Sequence, residues 1–228
     1  MSSFPPRPPR PRPPPEPPPP PPPEPQPPPL PEPPPPPEPP TRPARADARR
    51  NEQRILDAAV EALATDPSES LEEIARRAGV SRATLYAHFS SREALMDALT
   101  ARSAAEVTAA VSAARPHEGS ATDAMDRVLT AAWATMGRYR GLVIVNQQRL
   151  APSDLATRTA PATALVCELI VRGQQSGEFD PDLPPQWLLT VVVDLIHTAA
   201  RQVSFGAMSA QSAERALLRS AAALLAGH

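Results

Sequence analysis

From residue 46 onward, apolar side chains recur at helical spacing. Ile55, Leu56, Ala59 and Leu63 share one face, with Arg49, Arg50, Glu52 and Arg54 at or before its start, which predicts a first helix over about 47–64. The "TDPSES" that follows is turn chemistry. Ser70 with Glu73 three residues on forms a capping box for a second helix, which carries Leu71, Ile74, Ala75 and Ala78 inward and stops at Gly79. Ser81 caps a third helix. Ser90 with Glu93 repeats the box for a fourth, with Leu95 and Leu99 inward, running through "TARSAAEVTAAVSAA" to a break at "RPHEGS". Five more helices are expected over about 120–139, 141–150, 153–176, 184–205 and 209–225, separated by Gly141, Pro152 with Ser153, "SGEFDPDLPP", and Gly206 with Ser209. The pattern is all-α.

Composition separates a tail from this body. Of the 35 prolines in 228 residues, 28 fall before residue 46. Missing N–H groups and a fixed φ exclude helix and sheet interiors there, so residues 1–45 are expected as a disordered, extended polyproline tail whose PxxP spacings could dock aromatic grooves of a partner. A formal net charge of −2 and a pI of about 6.1 give no whole-chain support to nucleic-acid or membrane-surface binding, so any such site must be local. The one cysteine, Cys167, excludes an intramolecular disulfide and suits a reducing compartment. With no apolar span and no signal-peptide core, a soluble cytoplasmic protein without membrane partners is expected. All 23 basic side chains are Arg, from which no function follows.

A helix, a tight turn at Gly79 and a short helix capped by Ser81 make a helix-turn-helix pattern, whose second helix lies in the DNA major groove. With Leu85 and Phe89 as the buried edge, a 100° step per residue leaves Ala83, Thr84, Tyr86 and Ala87 on the other side. Arg82 can reach a guanine edge or a phosphate, while Ala83 and Thr84 allow close approach and can touch a thymine methyl. Tyr86 and His88, flanking the buried strip, are placed to donate to phosphate oxygens. The open N–H groups behind Ser81 and at the start of the fourth helix, with Arg92 beside the latter, are further phosphate sites. Arg49 and Arg50 add positive charge from the first helix. Short capped helices also occur in α-domains that bind no DNA, so the pattern alone leaves that alternative open.

The stretch "IARRAGVSRATLYAHFSSREAL" resembles, almost position for position, the DNA-binding domain of the TetR (tetracycline repressor) family of bacterial transcriptional regulators, within a likeness covering residues 55–99. The resemblance implies that Arg82, Ala83 and Thr84 face bases, that Tyr86 and His88 touch the backbone, and that Ser70 and Arg92 contact phosphate at two helix starts. The family usually has Lys where Arg92 stands, and commonly has Gly before the second helix, where Pro67 and Ser68 make the turn here. Domain boundaries follow: a tail over 1–45, a helix-turn-helix domain over 46–92, and a helical ligand-binding and dimerisation domain over 93–228.

In the second domain no Gly-rich phosphate loop, His/Cys cluster or nucleophile elbow occurs, so neither an enzyme nor a cofactor or metal is expected. The resemblance implies an inducer pocket between helices. Large or polar groups on otherwise apolar helices are its candidates: Trp133, Met136, Tyr139, Asn146, Cys167, Gln174, Trp187 and His197, with Gln147 and Asp194 beside them. Each has a plainer reading as core or as a satisfied polar pair. The last two helices carry Ala and Leu on more than one face, and a two-fold partner is expected there with Leu217, Leu218, Leu224 and Leu225 among the contacts. The expected protein is a homodimeric regulator, a repressor of a palindromic double-stranded operator released by an unknown small-molecule inducer. The rival readings are a proline-tail interaction or scaffold protein with a helical anchor, and an all-α enzyme.

Overall fold

The computed structural model describes residues 42–226, and among them there are nine α-helices and no strand. They are α1 (Arg42–Thr65), α2 (Leu71–Ala78), α3 (Arg82–His88), α4 (Arg92–Ala113), α5 (Ala121–Arg138), α6 (Arg140–Arg149), α7 (Pro152–Ser176), α8 (Pro185–Ser204) and α9 (Ala210–Leu225). None is long and apolar enough to cross a membrane. The expected tail lies outside the described residues except at its end, because α1 starts at Arg42 rather than near residue 47. Pro43 is tolerated there, since the first-turn N–H it lacks has no intrahelical partner.

The local start and stop signals act as the sequence predicts, with two differences. At Ser70 the reciprocal half of the box is not made, because the Glu73 carboxylate is held by Arg76 and Arg77 and the Ser70 N–H donates to the Glu69 carboxylate at 3.3 Å. Ser70 and Ser81 accept from the backbone N–H groups of Glu73 and Thr84 at 3.2 and 3.0 Å. At α4 the cap is Ser91, accepting from Ala94 at 3.1 Å, not Ser90. Phe89 causes the shift: it is 5% exposed in an extended conformation, so the chain makes one more residue of turn before the next helix begins.

Two apolar clusters divide the helices. In the first, Ile55, Ala59 and Leu63 of α1 meet Ile74 and Ala78 of α2, Leu85 and Phe89 at α3, and Leu95, Met96 and Leu99 of α4. The second gathers Val111 at the far end of α4 with Met125, Leu129 and Trp133 of α5, Leu169 and Ile170 of α7, Leu188 and Val192 of α8, and Leu217 and Leu225 of α9. α4 therefore belongs to both. Tyr139 and Leu142, bracketing the start of α6, also reach into the first cluster.

That second crossing depends on Gly141. A Cβ there would lie 1.9 Å from the carbonyl oxygen of Leu63, so only hydrogen lets α6 lie against the end of α1. The C-terminal hairpin corrects one expectation. Leu217 and Leu225 are each 2% exposed inside their own protomer's core, and Leu218 and Leu224 pack partly against it. The open face of α9 is instead Arg215, Ala216, Arg219 and Ala223.

Glu178 ties the loop after α7 to α5. Its carboxylate accepts from Thr122 N at 3.0 Å and from the Ser176 hydroxyl at 2.9 Å. The N–H groups of Ala121 and Thr122 hold its pKa down at about 2, against an ordinary 4.5. The stability this contributes is present above about pH 4.5 and is lost as the pH falls toward 2. Glu178→Gln should therefore flatten the pH dependence of unfolding across that window, as measured by urea melts at a series of acid pH values.

A second prediction concerns the crossing of α1 and α6. Gly141→Ala should destabilise the protein by about 1–3 kcal/mol through overpacking against backbone that cannot swing aside, seen as a lowered thermal midpoint in circular dichroism.

Candidate nucleic-acid interface and effector chamber

α3 is held by a turn, a cap and one buried edge. Gly79 ends α2 in the left-handed region (φ 63°, ψ 35°), and Val80 N–H returns to the Ala75 carbonyl at 3.1 Å, which closes the turn in the space of two residues. The Arg54 guanidinium of α1 donates to the Gly79 carbonyl at 3.3 Å, fastening the turn to the first helix. Leu85 is fully buried and Phe89 nearly so.

The opposite face is open. Arg82, Ala83 and Ala87 are exposed, and Tyr86 is 38% exposed. Thr84 is half-buried and its hydroxyl lies 2.8 Å from that of Ser81, so its methyl is the freer part. His88 is half-buried at the edge. Arg82 folds back over the Tyr86 ring, 5.4 Å from its centroid, and lies 3.1 Å from the Glu72 carboxylate. Both partners are solvent-exposed, so this pair is weak and the guanidinium can swing outward at little cost.

The other basic candidates differ in their freedom. Arg49 and Arg50 are exposed on α1, with Arg50 paired to Asp47. Ser70 and Ser81 are exposed at helix starts, their hydroxyls occupied as caps. Arg92 is engaged elsewhere: its guanidinium donates to the carbonyls of Pro67, at 2.9 Å, and Glu69. It thus fixes the α1–α2 loop, the one built from Pro67 and Ser68.

Beneath the first cluster, α4, α5, α6, α7 and α8 enclose two adjoining chambers of about 120 and about 80 Å³. They share Val107, Met136, Thr159, Ala162 and His197 as walls. The first is lined at its other end by Thr100, Ser103, Asn146 and the exposed Gln147, the second by Val128, Leu129, Val166 and Ile196. Burial keeps His197 below its usual pKa, the Asp194 carboxylate acting against this and Arg201 with it.

Met136, Asn146 and His197 among the sequence candidates thus line the chambers, together with Gln147. The structure places the others elsewhere. Trp133 is 6% exposed and packed in the core. Tyr139 is 1% exposed in the first cluster, where burial and the nearby Glu106 carboxylate push its phenol up to about 12, and its hydroxyl has no hydrogen-bond partner among the described residues. The Gln174 amide donates to the carbonyls of Asp180 and Leu183 at 2.7 and 2.8 Å, pinning the α7–α8 loop. Cys167 lies in an open hollow, accepting from Gln186 at 3.3 Å. Trp187 is 57% exposed on α8, and Asp194 is also exposed. Thr100, Ser103 and Thr159 were not anticipated. Polar residues on the inner faces of α4 and α7 were the available signal.

A polar chain, buried at Thr100 and Asn146 and part-exposed at Arg149, Arg158 and Asp97, leads from the chamber toward the first cluster. The Thr100 hydroxyl donates to the Met96 carbonyl at 2.7 Å and accepts from Asn146 Nδ2 at 3.0 Å. Arg149 donates to Asn146 Oδ1 at 3.1 Å and to Asp97 Oδ1 at 2.9 Å, where Arg158 also donates at 2.9 Å. These two guanidiniums, Arg149 first, hold the Asp97 carboxyl below its usual pKa. Asp97 and Thr100 belong to the part of α4 that carries Met96 and Leu99, so α6 and α7 are clamped to the helix that packs against α3 in the first cluster, and with it against the helix-turn-helix head formed by α1 to α3.

Comparison with known proteins bears on both sites. Residues 55–99 match the family model described as "Bacterial regulatory proteins, tetR family". The chain is 30% identical over 138 residues to the HTH-type transcriptional repressor LfrR of Mycolicibacterium smegmatis, covering 60% of this chain and 71% of that one. It is 39% identical over 62 residues to the HTH-type transcriptional regulator TtgW of Pseudomonas putida, covering 26% and 46%. The crystal structure of LfrR in complex with proflavine superposes with a TM-score of 0.63 at 26% identity, over 78% of this chain and 99% of that one. The ketosteroid transcriptional regulator KstR2 of Mycobacterium tuberculosis shares the fold at a TM-score of 0.61 and 22% identity, over 79% and 96%.

Arg92→Gln should loosen the α1–α2 loop by removing two hydrogen bonds from a charged donor, together worth about 1.5–3 kcal/mol. Faster amide exchange over residues 66–70, with a modest loss of thermal stability, is the expected result.

Proposed function

From the premise that this chain belongs to the tetR family of DNA-binding transcriptional regulators, we propose that it is a ligand-responsive repressor, acting as a dimer on a palindromic operator. The observation that carries this reading is the open face of α3, with Arg82, Ala83 and Tyr86 turned outward while Leu85 is fully buried behind them. Arg82, freed from Glu72, reads a guanine edge, Ala83 and the Thr84 methyl fit beside a thymine methyl, and Tyr86 and His88 donate to phosphates. Ser70 and Ser81 mark helix starts whose N–H groups and dipoles favour phosphate, and Arg49 and Arg50 add charge at the flank. Arg92 acts here through the loop it holds.

One such head contacts too few base pairs for useful specificity. Two heads on a symmetric dimer read half-sites about 34 Å or its multiples apart. The exposed faces of α8 and α9 are the proposed interface, with Trp187 and Phe205, 57% and 73% exposed, at the two ends of the α8 contribution.

The chambers are the proposed effector site, a reading supported by the ligand-bound relative, which is itself a repressor. The chain from Asn146 through Arg149 to Asp97 is the proposed coupling. A ligand that draws on Asn146 loosens the hold of α6 on α4, and the spacing of the two heads shifts. A coupling of about 1–3 kcal/mol suffices to weaken operator binding by roughly five- to 150-fold. The relatives are regulators rather than enzymes, and a cytoplasmic location follows from a DNA target.

A mobility-shift assay with the DNA upstream of the protein's own gene tests this. Binding should weaken steeply with salt, and should survive deletion of residues 2–41, whereas a proline-tail scaffold would lose its activity. Arg82→Ala should remove sequence preference at a cost of about 1–3 kcal/mol, while Tyr86→Phe should weaken all sequences alike. Salt-insensitive or absent binding would contradict the reading.

A further inference from the structure

Among the described residues, no charged side chain, neither Asp, Glu nor Arg, lines either of the two chambers. Arg149, which bonds Thr100 and Asn146 at the polar end, is already paired with Asp97. A ligand charge placed here would lose its hydration and meet no counter-ion, which disfavours both cations and anions. His197, the one titratable group in the shared wall, is biased by burial toward its neutral form.

The polar end is also directional. The Thr100 hydroxyl gives its proton to the Met96 carbonyl, and its oxygen accepts from Asn146 at 3.0 Å and from Arg149 at 3.4 Å. The Asn146 oxygen is taken by Arg149. The Thr100 and Asn146 oxygens are thus engaged, while the second Asn146 N–H and the Ser103 hydroxyl make no hydrogen bond to another described residue, so at this point of the wall Asn146 offers a donor and Ser103 can supply a second. The far end is walled by Val111, Val128, Leu129 and Ile196, and the one further polar group there, the Thr163 hydroxyl, is bonded to carbonyls of its own helix.

We propose that the chamber takes an uncharged, elongated apolar molecule carrying a hydrogen-bond acceptor, such as a ketone oxygen, at one end, with that oxygen against Ser103 and Asn146. This rests on the chamber being the effector site, and it names the class of effector. Such an acceptor draws on the same Asn146 amide that leads to Arg149 and Asp97, so occupancy and the hold on α4 share one residue.

Three fluorescent probes titrated into the full chain test it: 6-propionyl-2-dimethylaminonaphthalene, an uncharged ketone; 8-anilino-1-naphthalenesulfonate, an anion; and ethidium, a permanent cation. The ketone should bind at least about tenfold more tightly than either ion. Val107→Phe or Ala162→Trp, each filling a wall common to both chambers, should weaken it by a similar factor, whichever of the two retains the parent's circular dichroism melt. Ser103→Ala should weaken the ketone by about threefold or more by deleting a donor. If an ion binds more tightly and the filling variants remove it, the effector class is overturned while the effector site stands. If the filling variants leave the binding of every probe unchanged, the effector site itself falls.

Discussion

The functional reading depends on the burial of Leu85. A helix of seven residues cannot hold itself together in water, because nucleation costs more than so few hydrogen bonds return. α3 persists because its inner edge is sealed against α1, α2 and α4 through Leu85 and Phe89, while Ser81 and Gly79 fix where it starts and how sharply it turns away from α2. Arg54 adds a clasp from behind by bonding the Gly79 carbonyl. With the burial all on one side, the other side carries only the exposed Arg82 contacts to Glu72 and Tyr86, and that openness is what a DNA groove requires.

The same economy of contacts explains how the head is joined to the rest. α4 carries Leu95 and Leu99 in one core and Val111 in the other, so a movement of its middle is felt at both ends. α6 presses on α1 through a glycine and on α4 through Asn146 and Arg149. The buried Thr100–Asn146 pair is exacting in a way apolar packing is not. Each of its partners is fixed in number and direction, and breaking one bond leaves another group unsatisfied. This makes it a suitable place for a small ligand to alter a large element.

Much of the fold was legible in the sequence because its signals are local. Ser70, Gly79 and Ser81 act within three or four residues of themselves, and each was placed correctly; only at Ser90 and Ser91 did two adjacent caps compete, and the burial of Phe89 decided between them. The outward face of α3 was legible for the same reason, since one buried edge dictates the other. The chamber was less so, because its walls come from five helices and depend on crossings no local pattern encodes. Met136, Asn146 and His197 were found as oddities on apolar helices, but so were Gln174, which pins a loop, and Trp187, which faces outward. Tyr139 looked like a pocket group and serves the head's core, drawn there by Gly141 two residues on. Leu217 and Leu225 read from the sequence as interface contacts, and the packing of α9 against the other helices buries them in the core instead.

Amide hydrogen exchange of the full-length protein with and without operator DNA tests the central claim most directly. Slowed exchange over residues 81–92 on adding DNA, with the interior of α7 unchanged, is the result expected if the outward face of α3 enters the groove. DNA binding that leaves the amides of α3 exchanging as before, with protection appearing only elsewhere in the chain, would contradict it.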